Sequence, residues 1–539
     1  MKRSMIVLVL VLGGYNHAAA QLFNAGVPGN VVSPGSWPQG IMQGSVDFVD
    51  LDLRSGPDVM VIGRQAAEAA LPVTEYLFYT LSGPGRTDPG APPVWQFLPG
   101  PPLPRAWQHA TVLEDFDRDG DVDLLMTGSG STVPEQDVFA SLWVNGVTEV
   151  GVATFTEVPV ANFEPVYAAA ARGVDVNADG APDIVVTGTT ADGTRRTQLL
   201  VNDGFGNLQG VISPFADLAS GGVTSGDINQ DGFADVVITG LSPADTPTIT
   251  AYLGSATGAF SEQTFDTGAF WGNLQLVDLN LDGWEDLVVF GTKGYGPEIL
   301  KGTVQVFLSS AGVLPRVPTL ELEGGFQGDG RVLDLNTDGQ PDIWSTGWSG
   351  FFDDGGYLYL GAGDGQNFRS VNFFGTPYTS ISVADYDRDL DIDIVTSGKV
   401  GTAANLIMHQ NLATVGDMNT PPVRLRRPTP PNAPIVTTFD NGTGTPLPGW
   451  VDISWVFPEP GSGVNLCVGT TAVSCDLINP TWNETTEFPG NYNKTTVGQT
   501  QRAVRRFTPG QTIFVRWQYL TPQLIPSVIS PATSFTVPE

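Results

Sequence analysis

The sequence predicts an all-β chain, a seven-bladed β-propeller followed by a β-sandwich. Three observations carry this reading. A nine-residue acidic loop that runs into a short apolar strand occurs seven times. The first Asp residues of successive copies are separated by 65, 60, 52, 51, 56 and 51 residues, the length of a four-stranded blade rather than of a helical solenoid repeat. The loops stop near residue 413, and short alternating strands replace them. Gly 65 and Pro 42, with only 15% charged residues, fit many strands joined by turns.

In chain order, residues 1–20 read as a cleaved export signal. Lys2 and Arg3 precede an apolar run from Met5 to Leu12, and Ala18-Ala19-Ala20 precede Gln21. That run is too short to span a bilayer, no cysteine follows to take a lipid, and no later stretch is long and apolar enough to cross a membrane. Residues 21–413 are the expected propeller. The copies start at Asp50, Asp115, Asp175, Asp227, Asp278, Asp334 and Asp385. Each strict copy places side-chain oxygens at positions 1, 3, 5 and 9, with Gly at position 6 where the loop turns sharply. Carboxylates packed this closely repel one another without a counter-cation, and oxygen donors with no His or Cys suit calcium better than magnesium or zinc. An EF-hand shares the first six positions but needs Glu at position 12, where this chain has Met126, Val186, Ile238, Val289, Ser345 and Thr396. Surface Asp-Gly turns are the plainer alternative, which the sixfold recurrence of the same four positions disfavours.

The DxDxDGxxD loop followed by an apolar strand resembles the FG-GAP (VCBS-type) repeat of integrin α subunits and of secreted bacterial proteins. The resemblance implies calcium ligands at Asp115, Asp117, Asp119 and Asp123; Asp175, Asn177, Asp179 and Asp183; and Asp227, Asn229, Asp231 and Asp235. It implies the same at Asp278, Asn280, Asp282 and Asp286; Asp334, Asn336, Asp338 and Asp342; and Asp385, Asp387, Asp389 and Asp393. About five or six sites are expected. Leu390 replaces the turn Gly of the last copy, and Arg54 and Ser55 replace Asp and Gly in the first, which is expected to be metal-free with Arg54 in the cation's place. In propellers of the resembled type, ligands bind on the face opposite the calcium loops. There the sixth blade offers Trp348, Phe351 and Phe352, with Trp271 on the same rim, unless these rings fold down to plug the channel or pack on a neighbouring blade.

The last blade lacks a fourth strand, and Leu22–Val27 at the start of the mature chain is expected to supply it and close the ring. Residues 414–434, rich in proline and carrying Arg424, Arg426 and Arg427, read as a semi-rigid linker. Residues 435–539 read as a β-sandwich. Their WVDISW and GQTIFVRWQY stretches resemble fibronectin type III modules, and in an exported chain Cys467 and Cys475 are expected to pair.

A net charge of −32, nearly half of whose acids lie in the seven loops, excludes a nucleic-acid partner. His109 and His409 lie far apart and read as structural, and no nucleophile elbow, phosphate loop or CxxC pair occurs. The function expected is therefore a secreted, monomeric binding or adhesion module for an extracellular protein or glycan. The alternative is an extracellular calcium-dependent polysaccharide-active enzyme of lyase type.

Overall fold

The computed structural model describes residues 23–25, 42–49, 51, 58–64, 72–80, 94–96, 103–119, 121–131, 133–146, 154–294, 302–336, 338–348, 354–373, 378–384, 393–400, 403–411, 431–439, 445–456, 463–472, 477, 500–520 and 530–539. The expected signal, most of the first loop, the seventh loop before Asp393, most of the linker, Phe351, Phe352 and Cys475 lie outside these residues. Every regular element described is a strand.

Among the described residues seven sheets have four strands each and two have three. Met42–Val49, Asp58–Arg64, Pro72–Thr80 and Val94–Gln96 form the first sheet, and Trp107–Glu114, Asp123–Ser129, Val138–Asn145 and Phe155–Val158 the second. Tyr167–Val174, Asp183–Thr189, Arg195–Asn202 and Leu208–Val211 form the third, and Val223–Gly226, Asp235–Leu241, Pro247–Leu253 and Ser261–Ala269 the fourth. The fifth is Leu274–Val277, Asp286–Gly291, Gly302–Phe307 and Leu320–Gly324, and the sixth Gly330–Leu333, Asp342–Trp348, Asp354–Gly361 and Phe368–Phe373. Ser380–Ala384, Asp393–Val400 and Ala403–Asn411 make up three strands of the seventh. Its fourth is Phe23–Ala25 from the other end of the chain, with Phe23 opposite Asn411.

Each acidic loop feeds the second strand of its sheet, and the apolar run after it follows from what that strand must cover. Successive side chains of a strand point to opposite faces. Ile184 and Val186 therefore pack against Val112, Phe116, Leu125 and Leu142 of the second sheet, while Val185 packs against Val223, Val236 and Ile238 of the fourth. A strand buried on both faces needs apolar residues without alternation. The same sharing joins the fourth sheet to the fifth, the fifth to the sixth, the sixth to the seventh and the first to the second. The seventh returns to the first, where the Val46 and Phe48 N–H groups donate to the hydroxyls of Ser380 at 3.3 Å and Ser382 at 2.9 Å. This succession of packed sheets is a β-propeller.

The Thr-Gly pair that ends several copies ties neighbouring sheets. The Thr127 hydroxyl lies 2.8 Å from the Val166 carbonyl and accepts the Val166 N–H at 3.0 Å, and Thr239 donates to Ala269 at 2.7 Å. Thr187 makes the equivalent bond to the Leu218 carbonyl. The Gly that follows allows close approach: Gly240 has φ +153°, and a Cβ there would stand 2.6 Å from the Ala219 carbonyl oxygen.

Past the linker, Ile435–Thr438, Trp450–Val456 and Thr500–Arg506 form one three-stranded sheet and Gly463–Gly469, Thr512–Leu520 and Thr533–Thr536 another. Val451, Ile453, Trp455, Leu466, Val515 and Trp517 bury a core common to both. Asn432 and Pro434 belong to this module rather than to a free linker, since their carbonyls accept from Trp517 Nε1 at 2.8 Å and Thr533 Oγ1 at 2.6 Å.

Replacing Thr127 by Val keeps the volume but leaves the buried Val166 N–H without an acceptor, which costs about 1–3 kcal/mol. The expected result is a lower denaturation midpoint with an unchanged denaturant slope; an unchanged midpoint would show the bond to be dispensable.

Candidate metal centres

Four acidic loops, starting at Asp175, Asp227, Asp278 and Asp334, share one geometry at positions 1, 3, 5 and 6. In each the position-1 carboxylate accepts the N–H of positions 5 and 6, at 2.7–3.1 Å. The position-3 Asn oxygen also accepts the position-5 N–H, at 2.9–3.0 Å. The position-5 Asp accepts the position-7 N–H at 2.8–3.0 Å. These side chains are thus turned inward over a tight loop whose sixth residue is Gly with φ +82° to +92°. In the loops at Asp175, Asp227 and Asp278 the fourth residue is also left-handed, although it is not Gly: Ala178, Gln230 and Leu281 have φ +58°, +55° and +60°. Each such residue costs roughly 1–2 kcal/mol, so the loop is held in a shape that its backbone alone would not choose.

Position 9 has a second role that the spacing did not reveal. One oxygen of Asp183 accepts the Val176 N–H at 3.1 Å, and the other accepts the Asn202 N–H at the end of the third strand at 2.8 Å. Asp235, Asp286 and Asp342 repeat both bonds with Ile228 and Gly254, Leu279 and Ser309, and Leu335 and Gly361. These carboxylates are fully buried. Burial, joined by the neighbouring acids of the loop, pushes Asp183 up to about 8 and Asp235, Asp286 and Asp342 up to about 7.

The loop at Asp115 shares the tie, with Asp123 accepting from Phe116 and Asn145 at 2.8 Å each, and the left-handed fourth residue, Arg118 at φ +63°. One oxygen from each of Asp115, Asp117 and Asp123 lies within 4.8 Å of the others, a spacing that a divalent cation can bridge. Its position-1 carboxylate has another partner, Arg505 of the C-terminal module, at 3.2 Å. Of the seventh loop only Asp393 is described, at the start of a strand.

The two described aromatic candidates pack within the protein. Trp271 is half-buried, with its ring 4.8 Å from Phe270 and 5.4 Å from Phe326, and Trp348 is half-buried with its ring 6.4 Å from Tyr378. Both lie at the ends of their sheets away from the acidic loops, because one enters a first strand and the other closes a second. Among the histidines, His109 Nε2 meets Ser45 Oγ at 3.0 Å, and burial lowers it to about 4, so it is neutral at ordinary pH.

Asp183→Ala should destabilise by about 2–5 kcal/mol even in chelator, because two backbone N–H groups lose their acceptors, whereas Asn177→Ala removes one acceptor from an exposed N–H and should cost under about 1 kcal/mol. Equal losses in the two variants would contradict the tie. The raised carboxylates also set a pH dependence. Between pH 4 and 8 the folded state holds protons on the position-9 acids that the unfolded state has released, so stability without divalent cations falls as pH rises. Melting temperatures in chelator should drop from pH 5 to pH 8.5, and a flat profile would contradict this.

Comparison with known proteins agrees with the loop geometry. The FG-GAP-like repeat family profile matches residues 175–238 and 227–289. Human integrin alpha-6 is 28% identical over 160 residues, which are 27% of this chain and 14% of that protein, so the chain spans a small part of its length. Among solved structures, a subtype N11 neuraminidase-like protein of A/flat-faced bat/Peru is 10% identical, with a TM-score of 0.31 over 71% of this chain and 98% of that one. The beta-fructofuranosidase of Schwanniomyces occidentalis complexed with fructosyl-erythritol is 11% identical, with a TM-score of 0.28 over 80% of this chain and 89% of that one. Likenesses this slight carry no argument about activity. Among the described residues no helix is long and apolar enough to cross a membrane. The chain carries FG-GAP-like repeats over residues 175–289, in the loops and strands where the shared geometry is most complete.

Proposed function

We propose that the chain is an exported calcium-binding protein whose seven four-stranded sheets are the blades of one propeller, with a fibronectin type III-like β-sandwich after it. It serves as a binding or adhesion module for an extracellular protein or glycan. The observation that supports calcium is the common geometry of the loops at Asp175, Asp227, Asp278 and Asp334, with inward oxygens at positions 1, 3 and 5, over a strained fourth residue in the first three. In each, the acids at positions 1 and 5, the Asn at position 3 and the position-7 carbonyl would hold the ion, with position 9 completing the set from beneath. Calcium would supply the charge that these acids lack, and its binding lowers their pKa. The loops at Asp115 and Asp385 bring the proposed number to five or six.

The export signal at residues 1–20 and the Cys467–Cys475 pair belong to the same reading. If the pair forms, alkylation adds no mass to the unfolded protein until a reductant is supplied. The partner would meet the end of the propeller away from the acidic loops, where Trp271 and Trp348 lie and where Phe351 and Phe352 fall in the chain.

At 100 times its dissociation constant, each calcium site would stabilise the folded state by about 2.7 kcal/mol. Chelation should lower the melting temperature of the propeller far more than that of the C-terminal module, and equal melting with and without chelator would refute the calcium reading. A glycan and protein array probed with and without chelator tests the binding role. Release of unsaturated or reducing sugar ends from a polysaccharide panel would refute it in favour of an enzyme.

A further inference from the structure

The loop at Asp115 differs from the other described loops in where its positive charge comes from. It holds five carboxylates, at Asp115, Asp117, Asp119, Asp121 and Asp123, where the loops at Asp175, Asp227 and Asp334 hold three each. Two buried arginines stand against this surplus. Arg118, within the loop, is 3% exposed and pairs with Asp179 of the next loop at 3.7 Å. Arg505 is 6% exposed and comes from the C-terminal module, reaching Asp115 Oδ2 with Nε at 3.2 Å. Two further contacts join the module to this place. The Arg506 N–H donates to the Arg118 carbonyl at 2.8 Å, and Trp450 packs edge-on to Phe205 at 4.9 Å between ring centroids. Phe205 stands in the turn between the third and fourth strands of the third sheet, and that turn lies on the same loop: a Cβ on Gly206 would be 2.8 Å from Asp117 Cβ.

We propose that the Asp115 loop is the docking site of the C-terminal module, with Arg505 as its resident counter-cation, and that a divalent cation entering this loop and the docked module oppose each other. The reason is electrostatic. A cation held by Asp115, Asp117 and Asp123 and a guanidinium held by the same Asp115 carboxylate are like charges a few ångströms apart, in a place largely closed to solvent. Linkage makes the antagonism reciprocal: the docked module weakens cation binding at this loop, and the bound cation loosens the module by the same factor. The loops at Asp227, Asp278 and Asp334 share none of these contacts and bind independently of docking, whereas the loop at Asp175 touches the site through the Arg118–Asp179 pair. The proposal rests on the calcium reading above for its second half only, since the docking contacts need no ion.

The test uses the full chain, with calcium alone as the probe. The Arg506 amide reports docking directly, because its hydrogen goes to the Arg118 carbonyl, and its exchange with solvent is followed as calcium is raised while calcium binding is measured by calorimetry. In the unaltered protein, exchange at Arg506 should rise severalfold over the range in which the weakest site fills. Arg505→Ala should raise exchange before any calcium is added and tighten that weakest site about tenfold, within the usual range of such couplings. Phe205→Ala loosens the module without changing any charge near the loop, and should do both to a smaller degree. Its readout stands if Arg505→Ala fails to fold. Exchange that falls or stays constant with calcium while the other loops bind would overturn the antagonism alone. No calcium binding in any of the three proteins would overturn the antagonism and the calcium reading together, while raised exchange in the variants without calcium would uphold the docking.

Discussion

In five described loops the carboxylate at the ninth position ties the loop to its sheet, and the geometry of the propeller's acidic end depends on it. Asp183 accepts one N–H from the second residue of its own loop and another from the last residue of the third strand, so a single side chain fixes where the loop starts, where the second strand begins and where the third strand ends. The same acid recurs at Asp123, Asp235, Asp286 and Asp342. The arrangement is stable only if the carboxylate can remain in the interior, and an isolated buried charge is costly. Two N–H donors offset part of that cost. Burial still pushes Asp183 up to about 8 and Asp235 up to about 7, and a nearby cation would lower both.

The third strand adds a second tie in two sheets. Asn202 Nδ2 donates to the carbonyl of Phe116, the second residue of the preceding loop, at 2.9 Å, and Asn145 does the same for Leu51 at 3.0 Å. The Asp115 loop is therefore fixed by its own sheet through position 9 and by the following sheet through an amide. Together with the threonine bonds at the opposite end of the second strands, these contacts stop neighbouring sheets from sliding, which apolar packing alone would not do because it is non-directional.

Much of this was legible in the sequence, because the repeat and the period-2 pattern encode short-range requirements. The loop spacing located the start of each described second strand at a position-9 Asp, from Asp123 to Asp393, and the missing strand of the last sheet pointed to the start of the chain, where Phe23–Ala25 is found. What the sequence hid depends on contacts distant along the chain. Thr500–Arg506 has no apolar alternation, since Arg502, Arg505 and Arg506 lie in it, and it becomes a strand through its pairing with Trp450–Val456. Arg505 meets Asp115 across 390 positions, which no local pattern can announce. The Thr-Gly ending was visible as a recurrence, but the partner of its hydroxyl lies in the next sheet.

The two ends of the propeller are held by different physics, and this bears on where a partner can meet it. At the acidic end, order depends on charge balance among the loops, and part of the surface is taken by Arg505, Arg506 and Trp450. At the other end, backbone bonds run from sheet to sheet: Ser220 N–H to the Ala168 carbonyl at 3.1 Å, Trp271 N–H to Ser220 at 2.7 Å and Tyr378 N–H to Gln327 at 2.8 Å. Each of these five residues is left-handed, with φ between +45° and +58°. Strain of this kind persists only where the surroundings over-determine the backbone. Here the inter-sheet bonds do so, and the rings of Trp271, Phe326, Trp348 and Tyr378 stand on a framework that no ion is needed to set. Half-buried rings on a fixed backbone lose little conformational entropy on contact, which is why such a surface suits recognition. Salt and chelator, acting on the acidic end, would reach this surface only by loosening the sheets that carry it.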